Sequence, residues 1–579
     1  MLRLIRRFAF LVIAAIALFA MMPSAARDLP PAPAGLSRGV RGVIHVHTTR
    51  SDGTGSVEEV TRATAAARLQ FVIVTDHGDG TREPDLPDYR NGVLYIDAVE
   101  ISTRNGHVVA LGLPKAPYPL AGEGRDVVDD IHRLGGFAIA AHPGSGKPEL
   151  QWTDWDAPVD GIEWLNADSE WRDERPWTLA RALVTYPFRP PQALALLLDR
   201  PEPVIRRWDE LSQQRRVVGI AAVDAHARVG IRSLGEPYDS AGSLHFPSYA
   251  NSFREFSITL PDVRLTGNAA ADARAVLNGV RAGALYSTID ALAGPAAFRV
   301  AASSGSQTAS MGDVLPLDGP VHLRVDAQAS RDAQITLFRN GAPVATGQGM
   351  RFEHDAPAEP AIYRVEVTLP GAPGSPTVPW MVANPIYVGR GPEPPSPQSS
   401  FGEPRGSAPP PARSGIAPRV FTTLYGGGTP RGWTVEKSAA SDAAMDVIAA
   451  LAGTQLLLRF AISGTPADNP YAAFVMPATG AIAMHDRLVF TARAGRPMRL
   501  SVQLRAPGGG GERWQRSVYL DEMPRSIEIP FNDFRPLGTT TSALPVLSKI
   551  DSVLFVVDTV NTKIGSNGQI QVDDIKYTK

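Results

Sequence analysis

The chain has 579 residues, 44% of them hydrophobic, enough for several cores, so two to four domains are expected. Its formal charge is -2 and it has no cysteine, which excludes a disulfide framework, a thiolate metal site and a cysteine nucleophile. The charge balance gives no support for bulk nucleic-acid binding and leaves only a local basic patch open.

In chain order, the first segment reads as a leader. Arg3, Arg6 and Arg7 precede an apolar run from Phe8 to Met22, and Ser24-Ala25-Ala26 offers small residues suited to a signal peptidase. Residues 1–26 are therefore expected to be a signal peptide, with an uncleaved anchor as the alternative. The run is short of the roughly 20 residues that span a bilayer. Removing three leader arginines from -2 leaves about -5, and the mature chain is expected to be periplasmic or secreted, with no transmembrane segment.

After a Pro/Ala-rich lead-in, Val40 to Ile44 reads as a strand ending in His45-Val46-His47, which puts both imidazoles on one face. Asp52 follows in a loop. Ser56 with Glu59 forms a capping-box pattern ahead of a helix from Val57 to Arg68. Phe71 to Val74 is a buried strand that delivers Asp76 and His77, with Asp76 either bracing His77 or capping a turn. Val93 to Ile101 brings Glu100, and Asn105-Gly106 marks a hairpin turn before His107. A helix from Arg125 to Leu134 carries His132, read as structural. Strand-like runs then end in His142, Glu163, and Asp224 with His226. Six or so strand ends bearing ligand-type side chains, with helical segments between several of them, suggest a (β/α) barrel.

These motifs together resemble the polymerase and histidinol phosphatase (PHP) superfamily of metal-dependent phosphoesterases, over about residues 39 to 293. The resemblance rests on His45-Val46-His47 with Asp52, Thr75-Asp76-His77, Ala141-His142-Pro143 and Asp224-Ala225-His226, in that order. It implies a distorted (β/α)7 barrel. It also implies two or three divalent ions (Zn, Mn or Fe) held by His45, His47, Asp52, His77, Glu100, His107, His142, Glu163, Asp224 and His226. It gives Glu100, His142, Asp224 and Arg281 catalytic roles, with Arg281 in an Arg-x-Gly-x-x-Tyr pattern completed by Tyr286. Independently of any family, one ion takes four to six ligands, so this many candidates points to a polynuclear site. Two ions about 4 Å apart would activate a bridging hydroxide without a serine or cysteine nucleophile.

Five of nine tryptophans fall between Trp152 and Trp177, and read equally well as core or as an aromatic wall beside the metals. Arg172 and Arg175 are further phosphate-contact candidates. Residues 296–388 show short alternating strands and an Asn340-Gly341 turn, an immunoglobulin-like β-sandwich. Residues 389–417 form a Pro/Gly/Ser-rich linker. Residues 418–579 read as a galactose-binding-like jelly roll with Trp433, Trp514 and Tyr519 as prominent aromatics and a glycan or cell-envelope contact as its role. The sequence thus predicts hydrolysis of a small or medium phosphorylated substrate. The alternatives are a metal-dependent hydrolase of another bond, or a non-catalytic envelope or polysaccharide-binding protein.

Overall fold

The computed structural model describes residues 2–230, 243–244, 246–389, 421–450, 453–508 and 511–579. The expected linker lies outside the described residues, apart from Gly389. The chain forms two compact units. The first takes in residues 1–79, 83–114 and 128–405, and the second takes in 406–579 together with 80–82 and 115–127. Among the described residues no helix is long and apolar enough to cross a membrane.

Several local signals produce the elements their chemistry favours. Val40–Ile44 pairs in parallel with Phe71–Val74, Gly42 opposite Phe71. The intervening helix Val57–Ala66 starts at a capping box in which the Glu59 N–H donates to Ser56 Oγ and the Ser56 N–H donates back to the Glu59 carboxylate. The hairpin expected at Asn105-Gly106 turns one residue earlier, on Arg104-Asn105, and brings Val99–Thr103 back along Gly106–Leu111, with Thr103 opposite Gly106 and Ser102 opposite His107. Gly106 has φ 101°, and a Cβ there would sit 2.6 Å from the Gln151 carbonyl oxygen.

The (β/α)7 barrel is not formed. Val93–Asp97 and Val99–Thr103 are separated by one residue, and a two-residue turn follows, so no helical crossover fits between them. Parallel neighbours need crossovers of a dozen or more residues, and hairpins enforce antiparallel pairing instead. Accordingly Gly106–Leu111 runs antiparallel to both Val99–Thr103 and Phe137–Ala140. The strands divide into a five-stranded sheet (Val99–Thr103, Gly106–Leu111, Phe137–Ala140, Gly161–Asn166, Val218–Ala222) and a twelve-stranded mixed sheet containing Val40–Ile44, Phe71–Val74 and Val93–Asp97. Among the described residues the two sheets meet only through isolated bridges, Val46 with Ala225 and His77 with Glu100, and a few single hydrogen bonds such as Val223 N–H to the Ile44 carbonyl (3.2 Å). No continuous ladder closes a ring.

The core lies between these sheets. Ile44, Ile73 and Ile96 from one interdigitate with Val109, Ile139 and Ile220 from the other, and Val276, Leu277 and Val280 of the helix Ala269–Arg281 join the same cluster. Each such side chain contributes about 1.5–3 kcal/mol on burial. The parallel strands all point their carboxyl ends the same way, and the ligand-type residues collect there.

The twelve-stranded sheet continues into the sandwich region. Tyr286–Thr288 pairs with Met381–Ala383, so hydrogen bonds cross the expected domain boundary near residue 296. Arg364, buried in the strand Ala361–Thr368, donates to Asp209 of the helix Glu202–Ser212 (2.9 Å) and packs over Trp208. The outer strand Val218–Ala222 is covered by Asn384, whose side-chain amide exchanges two hydrogen bonds with the Gly219 backbone (2.8 and 2.9 Å). The predicted Asn340-Gly341 turn joins Gln334–Arg339 to Ala342–Gln348.

The second unit is all strand. Two six-stranded antiparallel sheets face each other over Leu456, Phe460, Phe490, Phe555 and Tyr577. Of its prominent aromatics, Trp514 is fully buried and donates to the Ser542 carbonyl (3.1 Å), and Trp433 stacks on Phe555. These rings fill the core.

Two predictions test this packing. A Cβ at Gly219 would come within 2.3 Å of the Trp208 ring. Gly219→Ala is therefore expected to lose about 1–3 kcal/mol in chemical denaturation. Burial alone pushes the Glu255 carboxyl up to about 8. The folded chain thus keeps a proton that the unfolded chain releases near 4.3, and stability falls as pH rises between those values. Glu255→Gln is expected to raise the denaturation midpoint at pH 8.5 and to leave it nearly unchanged at pH 4; an equal effect at both would contradict the assignment.

Candidate metal centre

Ten candidate ligands come from ends or edges of strands in the two sheets, and the structure brings all of them into one buried seam. Glu100 is central. Its Oε2 lies 3.2 Å from His45 Nε2, 3.2 Å from His47 Nε2 and 3.3 Å from His77 Nδ1. Its Oε1 lies 2.8 Å from both His107 Nδ1 and His142 Nε2. Asp224 Oδ1 is 3.4 Å from the Nε2 atoms of both His45 and His47. Asp52 faces His226 Nε2 at 3.2 Å, His47 Nδ1 at 3.4 Å and His77 Nε2 at 3.7 Å. Four overlapping groups result: His47, Asp52, His77 and His226; His45, His47 and Asp224; His45, Glu100 and His142; and His77, Glu100 and His107.

The backbone is bent to deliver these side chains. His45, His142 and Asp224 have φ of 67°, 30° and 42°, each just past a strand end. Non-glycine residues there cost on the order of 1–3 kcal/mol each, and such strain gathers where function over-determines the conformation. Around them a shell of acceptors sets the ring orientations. His45 Nδ1 donates to Glu163 Oε1 (2.5 Å), His142 Nδ1 to the Leu150 carbonyl (3.0 Å) and His226 Nδ1 to the Asp224 carbonyl (3.1 Å). Each of these bonds leaves Nε2 as the lone-pair nitrogen facing the cluster.

The donor set fits metal ions. His45 Nε2, His47 Nε2 and Asp224 Oδ1 are buried and have no hydrogen-bond partner, a rare condition that calls for a missing ligand. Two donors each about 2.1 Å from one ion stand about 3.4 Å apart at the tetrahedral angle and about 3.0 Å apart at a right angle. The separations of 3.2–3.4 Å among these atoms fall on the edges of such a polyhedron. Clusters of buried histidine and carboxylate able to coordinate a metal are thus present.

The electrostatics of the protein without ions agree. Burial disfavours the His47 imidazolium, yet the Asp224 and Glu100 carboxylates facing its Nε2 carry its pKa up to about 10. Burial also works against His45, and Asp224, Glu163 and Glu100 outweigh it to hold that pKa well above normal. His77 goes the other way: burial, reinforced by His47, lowers it to about 4. Glu100 stays well below the ordinary carboxylate range in spite of its burial, because imidazoles surround it. Protons therefore occupy positions that cations would take.

Other site expectations divide. Glu163 braces rather than joins the four groups: besides His45 it accepts the His142 N–H (2.8 Å) and the Asn166 amide (2.8 Å). Asp76 accepts from the Thr48 N–H, Thr48 Oγ1 and Ser51 Oγ and so pins the loop that carries Asp52. Arg281 is not at the site. Its guanidinium donates to the Gly135 carbonyl (3.0 Å), at the amino end of the strand whose carboxyl end carries His142, so its catalytic role is withdrawn. His132 pairs with Asp160 (2.7 Å) before the strand Gly161–Asn166, away from the cluster. Trp152 and Trp164 are core, whereas Arg172 is bound to Asp168 and packs over the Trp171 ring. Asn166, which bridges Glu163 and Asp224 (3.2 Å), and Tyr249, which donates to the His47 carbonyl (2.8 Å), escaped the sequence reading. Neither belongs to a motif; each acts through a fold contact.

No protein-family model matches the chain, and no curated protein matches it. Similar solved structures include the family 11 carbohydrate-binding module of cellulosomal cellulase Lic26A-Cel5E of Clostridium thermocellum, at 20% identity over 28% of this chain and 94% of that one, TM-score 0.24. A family 30 carbohydrate-binding module of a cellulosomal cellulase from Clostridium thermocellum shows 9% identity over 28% and 98%, TM-score 0.20. An exo-beta-agarase shows 11% over 27% and 25%, TM-score 0.20. The resemblance to the PHP superfamily is therefore corrected. No family model supports it and the barrel it implies is absent, and with it go the expected phosphoesterase activity and its hydrolase assignment.

Glu163→Ala is expected to weaken metal affinity about 10–100-fold, since it frees the His45 ring. Competition with a chromophoric chelator measures this, and His132→Gln serves as the unchanged control.

Proposed function

We propose that this chain is an exported, non-catalytic envelope- or polysaccharide-binding protein that carries a buried cluster of two or three divalent ions (Zn, Mn or Fe). The observation behind the metal assignment is the convergence of His45 Nε2 and His47 Nε2 on both Glu100 Oε2 and Asp224 Oδ1, all buried, with His45 Nε2, His47 Nε2 and Asp224 Oδ1 unpartnered. Ions there would neutralise Asp52, Glu100 and Asp224, which otherwise share one dry seam. Bound metal would tie the two sheets together, because ligands on the Val40–Ile44 and Phe71–Val74 strand ends belong to one sheet and Glu100 and His107 to the other.

The glycan contact is assigned to residues 421–579. Their support is an open groove of about 580 Å³ lined by Gln455, Thr491, Arg493, Gln571 and Asp573. Gln571 Oε1 accepts from both Gln455 (2.8 Å) and Arg493 (2.6 Å), a row of polar groups suited to sugar hydroxyls. Export is inferred from the apolar leader and its Ser24-Ala25-Ala26 segment.

Elemental analysis of the metal-replete protein is expected to give at least two transition-metal ions per chain; one ion would overturn the polynuclear assignment. Retention on polysaccharide gels is expected and should fall with Arg493→Ala. Metal-dependent turnover of bis(p-nitrophenyl) phosphate would overturn the non-catalytic reading.

A further inference from the structure

The helix Pro176–Thr185 and the turn after it expose an apolar face with no partner among the described residues. Trp177 is 67% exposed, and Leu183, Val184 and Phe188 are exposed with it. Positions 177, 184 and 188 are seven and four residues apart, the spacing of one helical stripe. Ala182 and Thr185, on the other side, are buried. Between Arg175 and Arg189 the sequence has three arginines and no acidic residue.

Two of those arginines hold the leader. Arg181 Nε donates to the Met21 carbonyl (2.8 Å), and Arg189 Nη1 donates to the Pro23 carbonyl (2.6 Å). These acceptors are neutral, so the positive charges are not cancelled. The leader helix Leu2–Met21 that ends there is itself apolar and exposed, at Phe10, Ile13 and Phe19 among others. Beyond Arg7 that helix carries no charged residue, and its exposed apolar side chains belong in a non-aqueous phase. The second apolar face is joined to it directly, and a basic, Trp- and Phe-bearing helix is the composition that settles in a headgroup layer.

We propose that the leader is retained, the alternative to its removal after Ala26, and that it and the 176–188 face together seat the protein on an anionic lipid surface, with Trp177 and Phe188 at the acyl boundary and Arg175, Arg181 and Arg189 among the headgroups. The helix lies in the plane of the surface. This face is distinct from the metal centre, and the assignment does not depend on what the centre does.

The chain has no cysteine, so single labels are clean. Val184→Cys and Phe188→Cys in the full chain, with Val344→Cys on the exposed sandwich strand as control, would carry nitroxides. They are read by power-saturation EPR on vesicles of 3:1 phosphatidylcholine and phosphatidylglycerol. Oxygen is expected to relax the labels at 184 and 188 more than a water-soluble nickel chelate does, with the reverse at 344. Omitting the anionic lipid is expected to lower binding by at least about five-fold, the worth of one arginine near such a surface. Vesicle-bound protein whose 184 and 188 labels read as aqueous would show that the leader alone binds, and would overturn the proposal. So would spin–spin broadening at these positions without vesicles, which marks a second copy on the face, or equal binding to neutral lipid.

Discussion

A carboxylate almost wholly removed from water survives only where neighbours replace its hydration, and around Glu100 five imidazoles do so. Its two oxygens face different histidines, which come from both sheets. The seam between the sheets is therefore polar at one end and apolar below it, where Ile44, Ile73, Val109 and Ile139 interlock. Without the apolar part the strands would have no reason to face one another, and without the polar part the seam would hold charges that no packing could offset. Cations bound there would compensate the carboxylates while the imidazoles stay neutral.

The same seam explains where the backbone departs from ordinary conformations. His45, His142 and Asp224 leave their strands in the left-handed region, which turns each side chain back over the strand end. A glycine would relieve the strain and lose the ligand. The supporting acceptors, Glu163, the Leu150 carbonyl and the Asp224 carbonyl, then fix the rings. Strained backbone and oriented imidazoles are two parts of one arrangement: the turn aims the donor and the outer hydrogen bond selects which nitrogen faces inward.

What was legible in the sequence was local. The Ser56–Glu59 cap and the Asn340-Gly341 turn depend on residues within a few positions of each other, and the structure has them; the Asn105 hairpin turns one residue earlier than expected, and His45 and His47 meet at the cluster although the strand ends at Ile44. The gathering of ligand-type residues was also readable, because each follows a short apolar run. The sheet order was not. A strand's pattern says that it is buried, not which strand it meets, and the one-residue step at Ala98 followed by the hairpin at Arg104-Asn105 converted an expected parallel ring into two sheets. Arg281 looked functional by its pattern, yet helix geometry carries it to the opposite end of the strands. Asn166 and Tyr249 gave no signal, since a single amide or phenol acquires its role only when the fold brings a partner to it.

The pairing of Tyr286–Thr288 with Met381–Ala383 has a consequence for how such a chain can be rearranged. A module ending near residue 293 would not be a portable cassette, because its last strand would present a bare row of amides and carbonyls. Asn384 would vanish as well, leaving the Gly219 backbone groups it covers without their partners. Such a fragment carries two raw edges, one on each sheet, and edges of this kind recruit other strands. The segment from Phe298 to Val388 is thus an edge guard for the sheets that carry the histidine and carboxylate cluster, and the two have to be inherited, shuffled or expressed as one piece.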